Sequence, residues 1–183
     1  DRDINITSPM VIAGSETKTE ITEIKGSINI DPDVSGTVLK HLTITGPLYG
    51  VHSKSSFAME NVVVRNCLND GVVIIGPNDP NDPNDRIRVT CTNLTVTDCT
   101  CSGIDVSGNA TIRLAESIDI SGNCQIATHH GMELRNNSKL ELVHPLNKAT
   151  VFANNDYCAE REPEIIGDTE ETETKETEAK FRF

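Results

Sequence analysis

Two stretches of the chain share one grammar. Asn61-Val-Val-Val-Arg-Asn-Cys-Leu-Asn-Asp-Gly-Val-Val-Ile-Ile75 returns as Asn93-Leu-Thr-Val-Thr-Asp-Cys-Thr-Cys-Ser-Gly-Ile-Asp-Val-Ser107. Each copy is a short strand, a polar turn, a glycine and a second short strand. Cys67 matches Cys99, and Gly71 matches Gly103. Self-similarity at such a period is the signature of stacked coils, each burying its neighbour's apolar face.

The same grammar extends in both directions. One strand type reads Leu42-Thr-Ile-Thr45, Val62-Val-Val-Arg65, Leu94-Thr-Val-Thr97 and Ile118-Asp-Ile-Ser121. Alternation turns Leu42/Ile44, Val62/Val64, Leu94/Val96 and Ile118/Ile120 inward. A second type follows a marker glycine, at Gly50, Gly71, Gly103 and Gly131. A third carries Phe57/Met59, Ile87/Val89, Ile112/Leu114 and Leu140/Leu142. Three strands per coil predict an all-β fold, a short right-handed three-sided parallel β-helix. The marker glycines lie 21, 32 and 28 residues apart. The longest interval holds nine residues, Pro77 to Asp85, built from an Asn-Asp-Pro triplet, and is 23 without them. Solenoids accept such insertions at corners. No 3.6-residue apolar stripe opposes this reading, and leucine-rich-repeat spacing is missing. An immunoglobulin-like sandwich, the competing architecture, does not explain the aligned strand-Gly-strand units.

Residues 1–36 read as an entry layer or cap, 37–158 as the β-helix body, and 159–183 as an acidic tail, flexible or docked. The tail's Glu, Thr and Lys cannot bury enough apolar surface to fold alone. With no Trp, two Tyr and four Phe, the core must be Val, Ile and Leu, which suits strands.

A formal charge of −12 disfavours nucleic acid, which needs a basic surface. No apolar run reaches the length of a bilayer span, so no membrane insertion is expected. Six cysteines, an even number, and sequons at Asn5, Asn93, Asn109 and Asn136 point to an extracellular, cell-surface or virion setting. A start at Asp1 fits a removed leader as well as trimming. Cys67 and Cys99 are expected to be structural, stacked between coils or bridged; Cys99-Thr-Cys101 has no redox-motif spacing.

The outward positions after the marker glycines are His52, Val73, Asp105 and Glu133, beside a second ladder of Thr43, Val63, Thr95 and Asp119. Asp98, Asp105, Asp119, His130 and Glu133 are the candidate catalytic patch, with Arg135 nearby. Paired carboxylates can divide acid and base or nucleophile roles. Asp79, Asp82 and Asp85 supply oxygens at triplet spacing for calcium, without the pattern of an EF-hand loop. No other cofactor is expected. Asn78, Asp79, Asn81, Asp82, Asn84 and Asp85 form a candidate contact loop. His129-His130 is a weaker candidate for a transition metal, since neighbouring strand residues point apart.

Over Leu42–Leu142 the strand and glycine pattern resembles the right-handed parallel β-helix superfamily, the pectate-lyase-like group. That group includes pectate lyases, polygalacturonases, uronan epimerases and phage or virus fibre proteins. Asp79-Pro80-Asn81-Asp82 and Asp82-Pro83-Asn84-Asp85 resemble the Asp-Pro-His-Asp motif of uronan epimerases, but Asn replaces the His that would titrate. The leading expectation is a noncatalytic structural or interaction protein. It would present a rigid face to a protein assembly partner or a glycan, with homo-oligomers as one form of assembly. The alternative is a small polysaccharide-active lyase, hydrolase or uronan epimerase using the acidic patch. A shared fold alone does not choose between them.

Overall fold

A computed structural model describes residues 3–16, 22–77, 86–125, 130–151, 157–159 and 164–166. These residues form a parallel β-solenoid of about five turns, with almost no helix among them. Its short strands are β1 (Ile4–Ile6), β4 (Ile28–Ile30), β6 (Val51–Ser53), β8 (Val72–Ile75), β10 (Ile104–Ser107), β12 (Met132–Arg135) and β14 (Tyr157–Ala159). They stack in that order into one sheet. The longer strands are β5 (Thr37–Thr45), β7 (Phe57–Arg65), β9 (Ile87–Thr97), β11 (Ala110–Ser121) and β13 (Lys139–Val143). They stack into the second sheet, bounded by β15 (Glu164–Ile166) at one edge and by β2 (Val11–Ala13) and β3 (Glu23–Lys25) at the other.

The long strands explain how two sheets make three walls. Each of four consecutive long strands bends at one residue with positive φ: His41 (52°), Asn61 (54°), Asn93 (53°) and Glu116 (63°). Asparagine tolerates this left-handed region better than most residues because its short amide bonds locally. Here the amides bond between coils. Asn93 Nδ2 donates to Asn61 Oδ1 (3.1 Å) and to Glu116 Oε2 (2.8 Å), while Ser117 N–H donates to Asn93 Oδ1 (3.1 Å). β2 pairs with β5 before the bend and β3 pairs with it after the bend. The third and first strand types of the sequence are thus the two halves of one bent strand.

The inward pattern is met. Leu42, Ile44, Val62, Val64, Leu94, Val96, Ile118 and Ile120 are all buried. Register builds columns along the axis: Leu39, Met59, Cys91, Leu114 and Leu142 follow one another, each 0% exposed. Burying one such side chain contributes roughly 1.5–3 kcal/mol.

The expected entry layer contains β1 to β4, whose strands pair in register with later coils. β15 lies within the expected tail and pairs with β13.

The marker glycines sit where the neighbouring coil leaves no room for a side chain. A Cβ on Gly71 would lie 2.5 Å from Val96 Cγ1 and 2.6 Å from the Gly103 carbonyl oxygen. On Gly50 it would lie 2.2 Å from Val64 Cγ1 and 2.7 Å from the Gly71 carbonyl oxygen. Both obstacles are fixed, one in the core and one in the backbone ladder. Gly71→Ala is therefore expected to destabilise the chain by about 3 kcal/mol. In thermal unfolding this lowers Tm by roughly 10 °C. Thr90→Ala on an exposed outward position should stay within about 0.5 kcal/mol of the parent.

Candidate functional site

The short-strand wall carries the chemistry. Register places Asn5, Asn29, His52, Val73, Asp105 and Glu133 in one outward column. The second ladder, Thr43, Val63, Thr95 and Asp119, is likewise in register, but on the bent part of the long strands.

Asp105 and Glu133 are direct cross-strand neighbours. Arg135, two residues beyond Glu133 and so on the same face, ion-pairs with Asp105 Oδ2. Its Nε also lies 4.0 Å from Glu133 Oε2. Ser102 Oγ donates to Glu133 Oε1 (2.8 Å), and Ser102 N–H donates to Asp70 Oδ1 (2.8 Å). The side chains of Asp105 and Glu133 are only 13% and 15% exposed, against 54% for Arg135. Burial holds the Asp105 carboxyl above its ordinary range; Arg135 opposes this, and the charges of Asp70 and Glu133 add to it. Asp105 Oδ1 is buried without a hydrogen-bond partner among the described residues. Burial, then Asp70 and Glu133, also push the Cys101 thiol up.

The five-residue patch expected from sequence does not assemble as one site. Asp119 is exposed on a different wall. Asp98 is an exposed corner residue with φ 57°, facing Gly122 of the next coil. The reason is the corner itself, which rotates the chain between the first strand and the marker glycine. His130 precedes Gly131 and β12, and its Nδ1 is buried without a partner among the described residues. Only Asp105 and Glu133 are joined, through Arg135. Asp70 and Ser102 were missed, although both precede a marker glycine, as His130 does.

Asn78, Asp79, Asn81, Asp82, Asn84 and Asp85, with the calcium reading attached to the three aspartates, lie outside the described residues, as does His129. Among the described residues no group of three or more His, Cys, Asp or Glu can hold a metal ion. No described helix is long and apolar enough to cross a membrane.

Cys67, Cys91, Cys99 and Cys101 are free thiols, so of the two arrangements expected for Cys67 and Cys99 the structure shows the stack and not the bridge. Cys67 and Cys99 are 1% and 0% exposed. Their sulfurs lie close to where Cβ atoms on Gly50 and Gly71 would be, and they donate weakly to the carbonyls of Arg65 and Thr97. They therefore act as small core residues under the glycine ladder. The sequons separate as well. Asn5 and Asn136 are exposed, and Asn93 has its amide committed to the corner ladder. Asn109 is 2% exposed and accepts from Arg86 Nε (2.8 Å). That burial is incompatible with a glycan on the folded chain.

Comparison with protein-family models, with curated proteins and with solved structures gave no match in any of the three.

The raised Asp105 gives a signed pH dependence. Its folded-state pKa lies above the unfolded value, so its contribution to stability is fully present below the unfolded value and is lost as pH rises through the folded one. Denaturant unfolding across the acid-to-neutral range should show this decline flattened in Asp105→Asn. It should steepen in Arg135→Gln, which removes the cation that keeps the carboxylate charged.

Proposed function

We propose that the chain is a noncatalytic structural or interaction module whose short-strand wall and adjoining corner contact a protein partner. The observation that carries this reading is an exposed apolar corner beside that wall. Leu48 and Leu68 are 57% and 68% exposed and occupy the same corner of successive coils, joined by the Asn69 N–H to the Leu48 carbonyl (2.9 Å). Tyr49 follows Leu48 and stacks on His52, with ring centroids 5.7 Å apart. Aliphatic and aromatic anchors rimmed by polar groups are the usual anatomy of a protein interface. The rim is the Asp70, Ser102, Glu133, Asp105 and Arg135 network. Its coil-to-coil bonds hold these side chains in place before binding, which lowers the entropic cost of association. A net charge of −12 favours a basic partner surface.

Kinship with the pectate-lyase-like superfamily belongs to the same proposal, supported by the strand and glycine grammar. The recognition role does not depend on an oxidising compartment, since the buried Cys67, Cys91, Cys99 and Cys101 are thiols.

A second reading, a polysaccharide-active enzyme, is favoured by one observation: two neighbouring carboxyls, one of them raised, share an arginine on a single wall. Such a pair can in principle divide acid and base roles.

The two readings part experimentally. Leu48→Asp combined with Leu68→Asp should weaken binding to a co-purifying basic protein by at least about a hundredfold, as expected for two anchor residues, with the circular dichroism spectrum unchanged. Unimpaired binding would remove the apolar corner from the interface. Reducing-end or unsaturated-uronate release by the parent chain, abolished in Asp105→Asn, would replace recognition with catalysis.

A further inference from the structure

We propose that a notch at the corner between the short-strand wall and the first half of the long strands binds a small hydroxylated oxyanion, such as a phosphate or sulfate ester of a sugar. The notch follows from unequal coil lengths. The coil from Gly50 to Gly71 is the shortest, at 21 residues, and passes from β6 to β7 through only Lys54, Ser55 and Ser56. On one side of it lies the turn around Pro32 and Asp33. On the other, the chain leaves for the insertion at Pro77 and returns at Arg86. Asn109 pins both ends of that excursion: its N–H donates to the Pro77 carbonyl (2.8 Å), and its carbonyl accepts from Ile87 N–H (3.1 Å). The tight corner, the Pro32–Asp33 turn and the two described ends, Pro77 and Arg86, line a cavity of about 570 Å³, within the range of small-ligand sites.

The lining selects the ligand. Lys54 and Arg86 both face the notch. Arg86 is held by two neutral acceptors, Asn109 Oδ1 (2.8 Å to Nε) and Thr111 Oγ1 (3.0 Å to Nη1). These fix the guanidinium and leave donors on Nη2, since the group carries five. Neither cation is ion-paired among the described residues, whereas Lys40, Arg65 and Arg135 pair with Glu60, Glu23 and Asp105. Two cations without carboxylate partners among the described residues, one of them held in place, supply the charge that an oxyanion needs. Asp33 and the serines of the same lining offer acceptors and donors to hydroxyl groups. Ile75 and Ile87 supply apolar contact for a ring face. The lining thus suits a ligand that carries both a charged ester and hydroxyls.

The test is an amide NMR titration of the full chain at constant ionic strength with glucose 6-phosphate, glucosamine 6-sulfate, inorganic phosphate and glucose. Saturable shifts at Lys54, Ser56, Ile75, Gly76, Arg86 and Ile87 are expected with an ester, and the better ester identifies the oxyanion. Inorganic phosphate should bind more weakly, and glucose should leave the spectrum unchanged. Lys54→Glu, at an exposed position, should weaken ester binding by about tenfold or more; its own spectrum reports that it is folded. Failure of both esters to saturate these amides would overturn the site, as would undiminished binding by Lys54→Glu. Equal affinity for ester and inorganic phosphate would overturn the role given to the hydroxyls.

Discussion

Backbone hydrogen bonding between successive coils, at the fixed spacing of parallel strands of about 4.8 Å, is the constraint on which the rest of the structure depends. It forces each residue to lie above its counterpart in the next coil. At the inner corner the coils come so close that a Cβ on Gly50, Gly71 or Gly103 would strike the next carbonyl oxygen. At the bend of four consecutive long strands it goes with a positive φ, at His41, Asn61, Asn93 and Glu116. Outward amides stack on one another, as Asn29 does on Asn5 and Asn93 on Asn61. Buried backbone groups need partners, so register outranks local preference.

The same stacking makes chemical neighbours of residues far apart in sequence. Asp70 and Ser102, Ser102 and Glu133, and Asp105 and Arg135 each lie about one coil apart along the chain and touch across the wall. Half-buried charges in such a column feel one another strongly, because screening by water is reduced. The rigidity that fits a coil stack for recognition is therefore inseparable from the perturbed Asp105 carboxyl. The notch at Lys54 and Arg86 has a different origin. It comes from a mismatch in coil length, and one of its two cations, Arg86, is held by neutral partners.

Much of the architecture was legible because alternation along a strand and recurrence between coils are both one-dimensional signals. Leu42 to Ile120 could be assigned to the interior, and His52 to Glu133 to one outward column, by counting from the marker glycines. The candidate patch was legible only in part. Asp105 and Glu133 share a counted position and meet as expected. Asp98 and Asp119 lie across a corner whose angle no periodicity records. Asn109 reads as an ordinary sequon, yet it is buried because it ties down both ends of the insertion. Cys67 and Cys99 read equally well as a bridge or a stack, and packing under the glycines makes them stacked thiols.

The coil, the inside and outside of each strand, and the residues that stack in a column all follow from the order of residues along the chain, through the two-residue period and the marker-glycine repeat. Which columns share a wall, which cations find carboxylates and where a cavity opens emerge only once the coils are stacked. Those outcomes depend on the direction the chain takes at each corner and on the unequal lengths of neighbouring coils. Both are set by packing in three dimensions.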